Sequence, residues 1–297
     1  GLVINKFRGD VEILRPGLAM LEEKTGLPVL GVVPYLHVEI EDEDSLSERL
    51  NANRAVKPLD AAVIRLPHIS NFTDFMPLEQ HELLGVRYVQ RARELGRPDL
   101  VILPGTKNTM EDLLWLRQNG LEAAALKLAH AGTPILGVCG GYQMLGQTLD
   151  DPQGTESGRP MALSGLGLLP TRTVFDAQKR RMQVRAAAQG ELFGGARLTG
   201  YEIHNGRTEV GGAPFCMLED GTPEGCVSRN VFGTYLHGLF DSGELTGALV
   251  RMLCARKGIS PTQTKLMSMA DYRQQQFDLL ADGVRQALDM GAVYRAI

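Results

Sequence analysis

Apolar residues along the chain fall into short continuous runs separated by stretches with helical spacing. Leu2–Asn5 and Pro28–Val33 are such runs, and between them Val11, Leu14, Leu18 and Leu21 recur at helical spacing. Strand, helix, strand predicts a β-α-β unit, the repeating element of a parallel α/β sheet. An acidic stretch from Glu39 to Glu48 follows and reads as a solvated loop or helix face. The sequence is polar around residues 50–58 before a new apolar run starts at Leu59, and a domain boundary is expected there. Beyond it the alternation resumes, with strands expected at Val86–Val89, Leu100–Leu103 and Pro134–Val138 and a helix starting over Met110–Leu116. The pairs Pro98-Asp99 and Thr133-Pro134 mark strand starts. Residues 165–236, richer in β-branched residues and glycine, are expected as a mixed or antiparallel part of the sheet. Two helical patterns, near 243–257 and 271–289, close the chain.

The chain opens directly into its first strand without an initiator methionine, so upstream sequence is expected to be missing. Thirty-one Lys and Arg against thirty-five Asp and Glu give a net charge of −4, which argues against a nucleic-acid partner. No apolar run approaches the ~20 residues that cross a bilayer, and no signal-like start is present. A cytoplasmic protein with no membrane partner is expected. The four cysteines, at 139, 216, 226 and 254, form no C-x-x-C pair and have no His at zinc spacing, so no metal site is expected.

Cys139 stands apart from the other three. Pro134–Val138 is an apolar strand that runs into Gly137-x-Cys139-x-Gly141 and then a helical pattern. This is the spacing of a nucleophile elbow with Cys in place of Ser. Small flanking residues let the backbone pass through a sharp strand-to-helix turn. Free N–H groups at the helix start favour a thiolate and can hold an oxyanion, with Gly140 N–H as the natural donor. Alone, the same pattern also describes a buried cysteine in a Gly-rich turn.

Two further segments bear on the choice. Leu100–Leu103 leads into Pro104-Gly105-Thr106-Lys107-Asn108-Thr109, a loop of the kind found at the carboxyl end of a parallel strand, where ligands bind. Gly105 could bring its N–H to the same oxyanion, and Asn108 or Thr109 could cap the following helix. Val231–Leu236 reads as a strand ending in His237, followed by Gly238. A thiol nucleophile needs a base that later protonates a leaving amine, and His does both near neutral pH.

Taken together, these residues resemble a known family. Leu136 through Gln143 is similar to the nucleophile motif of class I glutamine amidotransferases. The strings Leu103–Thr109, Gly137–Gly146, Tyr201–Thr208 and Gly233–Phe240 resemble the cobalamin-pathway branch, and within it the cobyric acid synthase family. Val3–Asp10, Gly31–Pro34 and Glu43–Ser45 fit the same resemblance. It implies an α/β fold: a class I glutamine-amidotransferase-like domain with a mostly parallel sheet, preceded by the remnant of a P-loop-type α/β synthetase domain. The expected domains are 1–55 for the end of the synthetase part, 56–245 for the amidotransferase, and 246–297 for a helical extension packed on the amidotransferase.

The resemblance also implies chemistry. Cys139 would be the nucleophile and His237 the base. Gly105 and Gly140 would hold the oxyanion, Gln143 would help bind glutamine, and Tyr201 and His204 would line its pocket. The family amidates peripheral carboxylates of adenosylcobyrinic acid a,c-diamide, a corrinoid, using ATP and Mg2+ and ammonia taken from glutamine. Asn5 and Lys6 would sit near the nucleotide base, and Arg8 and Asp10 would face the substrate. Strand-end turn chemistry explains those four residues as well.

Two departures matter. Leu239 stands where most class I amidotransferases place a Glu that orients the His, so the orienting partner is unknown. No G-x-x-x-x-G-K-[ST] phosphate loop occurs in the chain. ATP and Mg2+ would therefore be bound mainly by the missing N-terminal part, with no cofactor held tightly here, and this chain alone would act only as a glutaminase. Competing readings are the sister synthase that makes the a,c-diamide, an amidotransferase of cell-wall lipid precursors, a thiol hydrolase, and a silent corrinoid-binding domain. The sequence leaves a homo-oligomer open.

Overall fold

The computed structural model describes residues 1–36, 38, 57–190, 193–260 and 269–296. The acidic stretch from Glu39, the Glu43–Ser45 string and most of the 50–58 boundary fall outside the described residues. The chain divides into two units, residues 1–41 with 270–297, and residues 42–269.

In the smaller unit the first run forms β1 (Leu2–Phe7), the helical pattern forms α1 (Val11–Thr25), and the second run forms β2 (Val29–Pro34). β1 and β2 pair in parallel, as a β-α-β unit requires. Asp10 caps α1 by accepting from Glu12 N–H, and Gly26, at φ 69°, ends it in the left-handed conformation.

The larger unit is built on a six-stranded sheet. Its strands are β3 (Leu59–Ile64), β4 (Leu84–Val89), β5 (Leu100–Leu103), β6 (Ile135–Val138), and, later in the chain, Cys226–Ser228 and Val231–Thr234. Between β3 and β5 run a 3-10 turn (Phe72–Phe75), α2 (Met76–Glu79) and α3 (Ala92–Leu95). Helices α4 (Thr109–Gln118) and α5 (Leu121–His130) cross from β5 to β6, and α6 (Gly140–Leu145) follows β6. β5 and β6 are buried at every position, because a parallel sheet with both faces covered needs continuous apolar runs rather than alternation.

A second sheet holds most of residues 148–237. Its strands are β7 (Thr148–Asp151), β8 (Met161–Ser164), β9 (Thr171–Ala188), β10 (Arg197–Val210), β11 (Cys216–Leu218), β12 (Pro223–Glu224), and, beyond β13 (Cys226–Ser228) and β14 (Val231–Thr234) of the first sheet, β15 (Leu236–His237). The expectation of a mixed or antiparallel part of one sheet is corrected here. The chain leaves the first sheet after β6 and builds a separate, mainly antiparallel one around the β9–β10 ribbon, returning through β13 and β14.

The chain ends in α7 (Glu244–Lys257), α8 (Met269–Ala287) and α9 (Met290–Ala296). Residues 246–297 were expected to pack together on the amidotransferase domain, and the structure divides them. α7 buries Leu245, Leu249 and Leu253 in the larger unit, whereas residues from Ala270 onward belong to the smaller one. There Asp289 N–H donates to Leu30 O at 2.7 Å, and Leu288 bridges to Gly31. The free edge of a two-stranded sheet and an amphipathic helical tail satisfy each other.

The four central strands β14, β6, β5 and β3 are parallel, so their carboxyl ends lie along one edge of the sheet. The loops that carry residues 66–74, 104–108, 139 and 235–238 all leave from that edge, the usual place for a site in an α/β sheet.

Candidate active site

Cys139 occupies the turn between β6 and α6 with φ 52° and ψ −111°, a conformation rare for a residue with a side chain. Its N–H donates to Thr234 O at 2.8 Å, and its carbonyl accepts from Gln143 N–H at 3.0 Å, so strand and helix hold the strained residue from both sides. The turn closes against the β5 loop. A Cβ on Gly141 would stand 2.0 Å from Leu103 O, so the approach tolerates only glycine. Gly140 is the first helical residue, and its N–H therefore has no acceptor within the helix.

His237 is 1 % exposed at its side chain and lines the same cavity as Cys139, whose thiol donates to Ile203 O at 3.5 Å. Its Nδ1 is 2.6 Å from Asp74 Oδ2, and the other carboxylate oxygen, Oδ1, accepts from Gly238 N–H at 2.9 Å. With Nδ1–H donated to the carboxylate, Nε2 is left to meet the thiol. Burial, the largest single effect, pulls the imidazolium down, but Asp74 and, to a smaller extent, Cys139 together outweigh it and push the His237 pKa up to about 10. Asp74 is the orienting partner that the sequence left unknown. It answers the absence of a Glu at position 239, where Leu239 is instead fully buried.

Asp74 reaches His237 because two loops are joined. Ser70 N–H donates to Gly105 O at 2.9 Å, and Lys107 N–H donates to His68 O at 3.0 Å. The buried Asp112 carboxylate accepts from His68 N–H at 3.2 Å, pairs with His68 Nδ1 at 2.8 Å and accepts from Thr106 Oγ1. These bonds fix the loop after β3 to the loop after β5, and the 3-10 turn then presents Asp74. Gly105 sits beside the imidazole, since a Cβ there would lie 3.2 Å from His237 Cε1.

Cys139 and His237 open into a cavity of about 320 Å3 that Gln143, His204, Thr109, Lys107 and Glu156 also line. Gln143 is 3 % exposed and held at both ends of its amide. Its Nε2 donates to Asn205 O at 3.1 Å and Tyr235 Oη at 3.2 Å, while its Oε1 accepts from Thr109 Oγ1 at 3.1 Å. Glu156, which sequence reasoning missed, accepts from Thr109 N–H at 2.6 Å, and burial raises its pKa. Asp151 shapes its loop by accepting from the N–H groups of Thr155, Glu156 and Ser157. Asn108 makes the helix cap, accepting from Glu111 N–H at 3.1 Å.

The remaining expected residues divide. His204 lines the cavity, but Tyr201 is not on its wall. Tyr201 instead stacks on His237, ring centroids 5.3 Å apart, and its hydroxyl accepts from Asn71 Nδ2 at 2.7 Å. Its contact is with His237 rather than with the cavity.

Asn5, Lys6, Arg8 and Asp10 lie in the smaller unit. There Asn5 Oδ1 accepts from Lys6 N–H at 2.9 Å, Lys6 takes φ 53°, Arg8 stacks over Tyr35 at 4.1 Å, and Asp10 caps α1. Those contacts match strand-end turn chemistry.

Residues 60–245 match the family described as the CobB/CobQ-like glutamine amidotransferase domain. The chain is 47% identical to the cobyric acid synthase of Ruminiclostridium cellulolyticum over all of its own length and 60% of that protein's. It is 45% identical to the cobyric acid synthase of Salmonella typhimurium, over 99% of this chain and 60% of that one. It thus spans about three-fifths of the length of these relatives. Among solved structures, PurLQS from Thermotoga maritima superposes with a TM-score of 0.51 at 18% identity, covering 67% of this chain and 99% of that chain, a likeness of fold. With a match that covers more than half its length, the chain belongs to the CobB/CobQ-like glutamine amidotransferase family.

Proposed function

We propose that this chain hydrolyses glutamine through a Cys139 thioester and supplies the ammonia to a cobyric acid synthase reaction. The observation that carries the reading is that the buried His237–Asp74 pair, 2.6 Å apart, and the strained Cys139 meet on one cavity of about 320 Å3. At neutral pH His237 already holds the proton drawn from the Cys139 thiol, and the sulfur attacks the side-chain amide carbon of glutamine. The oxyanion is met by the N–H groups of Gly140 and Gly105. The tetrahedral adduct collapses as His237 returns the proton to the departing nitrogen, which leaves as ammonia. Water then adds to the thioester, giving its proton to His237, and glutamate leaves as the thiol is restored.

Selection of free glutamine follows from charge. Glu156 and Lys107 place opposite charges on one cavity wall, which complements the α-ammonium and α-carboxylate of an amino acid. Gln143, fixed at both ends of its amide, lines the same cavity.

The acceptor, by likeness to the relatives named cobyric acid synthase, is a corrinoid carboxylate, and ATP with Mg2+ would activate it. The smaller unit does not fit the triphosphate. Its β1–α1 turn lacks a phosphate loop, and the Asp10 carboxylate occupies the start of α1 where a phosphate would sit. No activation step is derived from these residues. Glutamate release from glutamine, abolished in Cys139→Ala, tests the glutaminase; release undiminished in that variant refutes it.

A further inference from the structure

His237 stands on a stretch of chain that crosses from one sheet to the other. Thr234 ends β14 of the first sheet, Leu236 and His237 form β15 of the second, and Tyr235 between them belongs to no strand. Tyr235 is buried, so its backbone N–H needs an acceptor that neither ladder provides.

Glu224 supplies it. Its Oε1 accepts from Tyr235 N–H at 2.6 Å, and its Oε2 accepts from Thr234 Oγ1 at 2.7 Å and from Cys216 Sγ at 3.3 Å. Thr234 Oγ1 in turn accepts from Leu236 N–H at 3.1 Å. The carboxyl group comes from β12 of the second sheet, whose end lies directly against β14. A Cβ on Gly225 would stand 2.3 Å from Gly233 O.

The segment held in this way touches three residues of the site. Thr234 O accepts from Cys139 N–H at 2.8 Å, Tyr235 Oη accepts from Gln143 Nε2 at 3.2 Å, and His237 follows two residues after Tyr235. Glu224 is 6% exposed, and burial pushes its pKa up to about 7 against the opposing pull of its three donors. An acid buried at this cost beside a reactive pair is more than packing requires. The acid and the carboxylate can both offer an oxygen to an N–H, so the contact depends on where that oxygen stands more than on its charge.

We propose that Glu224 is a positioning residue for the glutaminase, its two carboxyl oxygens fixing the crossing segment and with it the place of His237 relative to Cys139. This rests on the glutaminase reading above.

Two variants separate position from charge. Glu224→Gln keeps an oxygen for Tyr235 N–H and removes the charge, whereas Glu224→Asp keeps the charge and draws both oxygens back by one methylene. On this chain Glu224→Asp should lower kcat for glutamate release about tenfold with KM within about twofold, while Glu224→Gln stays within about threefold of wild type. Alkylation of Cys139 by iodoacetamide, which reads the thiolate without glutamine, should slow in the same order. Leu218→Ala removes buried bulk from the neighbouring strand β11 and should leave both rates within about twofold, which isolates the effect of loosening the second sheet. The proposal is overturned by wild-type kcat in Glu224→Asp, by Glu224→Gln as slow as Glu224→Asp, by a change in KM alone, or by Leu218→Ala as slow as Glu224→Asp. Absence of Cys139-dependent glutamate release from the wild type would instead overturn the parent reading, and the alkylation rates then decide the positioning role by themselves.

Discussion

Asp74 Oδ2 lies 2.6 Å from His237 Nδ1 although 163 residues separate them along the chain. The contact fixes Nδ1 as the protonated nitrogen facing the carboxylate, and in the proposed mechanism it holds the imidazolium that carries the thiol proton. Asp74→Asn keeps the shape but reverses the polarity of this bond. It should lower kcat for glutamate release by about 10²-fold or more while KM stays within about twofold. A kcat near wild type would remove Asp74 from the mechanism.

The same pair sets a pH dependence of stability. Burial lowers the His237 pKa, but Asp74, with a smaller part from Cys139, raises it from 6.5 to about 10 in the native state, so that state binds the proton more tightly than the unfolded chain. The contribution is fully present below pH 6.5 and is lost as pH rises through about 10. Thermal melts across that window should show a decline that is shallower in Asp74→Asn. Parallel curves would contradict the assignment.

Glu156 faces the cavity with its carboxylate on Thr109 N–H, and in the proposed reading it binds glutamine. Glu156→Gln should raise KM for glutamine about tenfold and leave kcat within about threefold, as expected when one charge-assisted contact is lost. A fall in kcat at constant KM would place Glu156 in the chemical step instead.

Tyr201 packs on His237 from outside the cavity, ring on His237 and hydroxyl on Asn71. Tyr201→Ala should reduce kcat about tenfold, whereas Tyr201→Phe, which keeps the stacked ring, should stay within about threefold of wild type. A KM effect alone would return Tyr201 to the glutamine pocket, where the sequence had suggested it.

Much of this site was legible because its chemistry is local. The elbow around Cys139 and the Pro104–Thr109 loop each follow an apolar strand, and steric demands at the turn leave a mark in neighbouring residues. Asp74 left no such mark. It lies between Phe72 and Phe75, a single acid in an apolar turn, and its function arises only when two loops meet. Burial of a carboxylate among phenylalanines was the available signal. Glu156 was hidden in a polar loop whose shape depends on Asp151. Periodicity predicted the strands at 86–89, 100–103 and 134–138, but it could not assign β9 and β10 to a second sheet. A strand's own pattern does not name its neighbour. For the same reason the last two helices read as an extension of the amidotransferase, although they belong to the smaller unit and the turn between them pairs with β2.

The most direct test of a Cys139 nucleophile is to follow glutamate release from glutamine by this chain while trapping the protein in acid for mass measurement. The expected result is Cys139-dependent release with a glutamyl adduct on the peptide that contains Cys139, and neither release nor adduct in Cys139→Ala. Release that persists in Cys139→Ala, or an adduct on another residue, would contradict it.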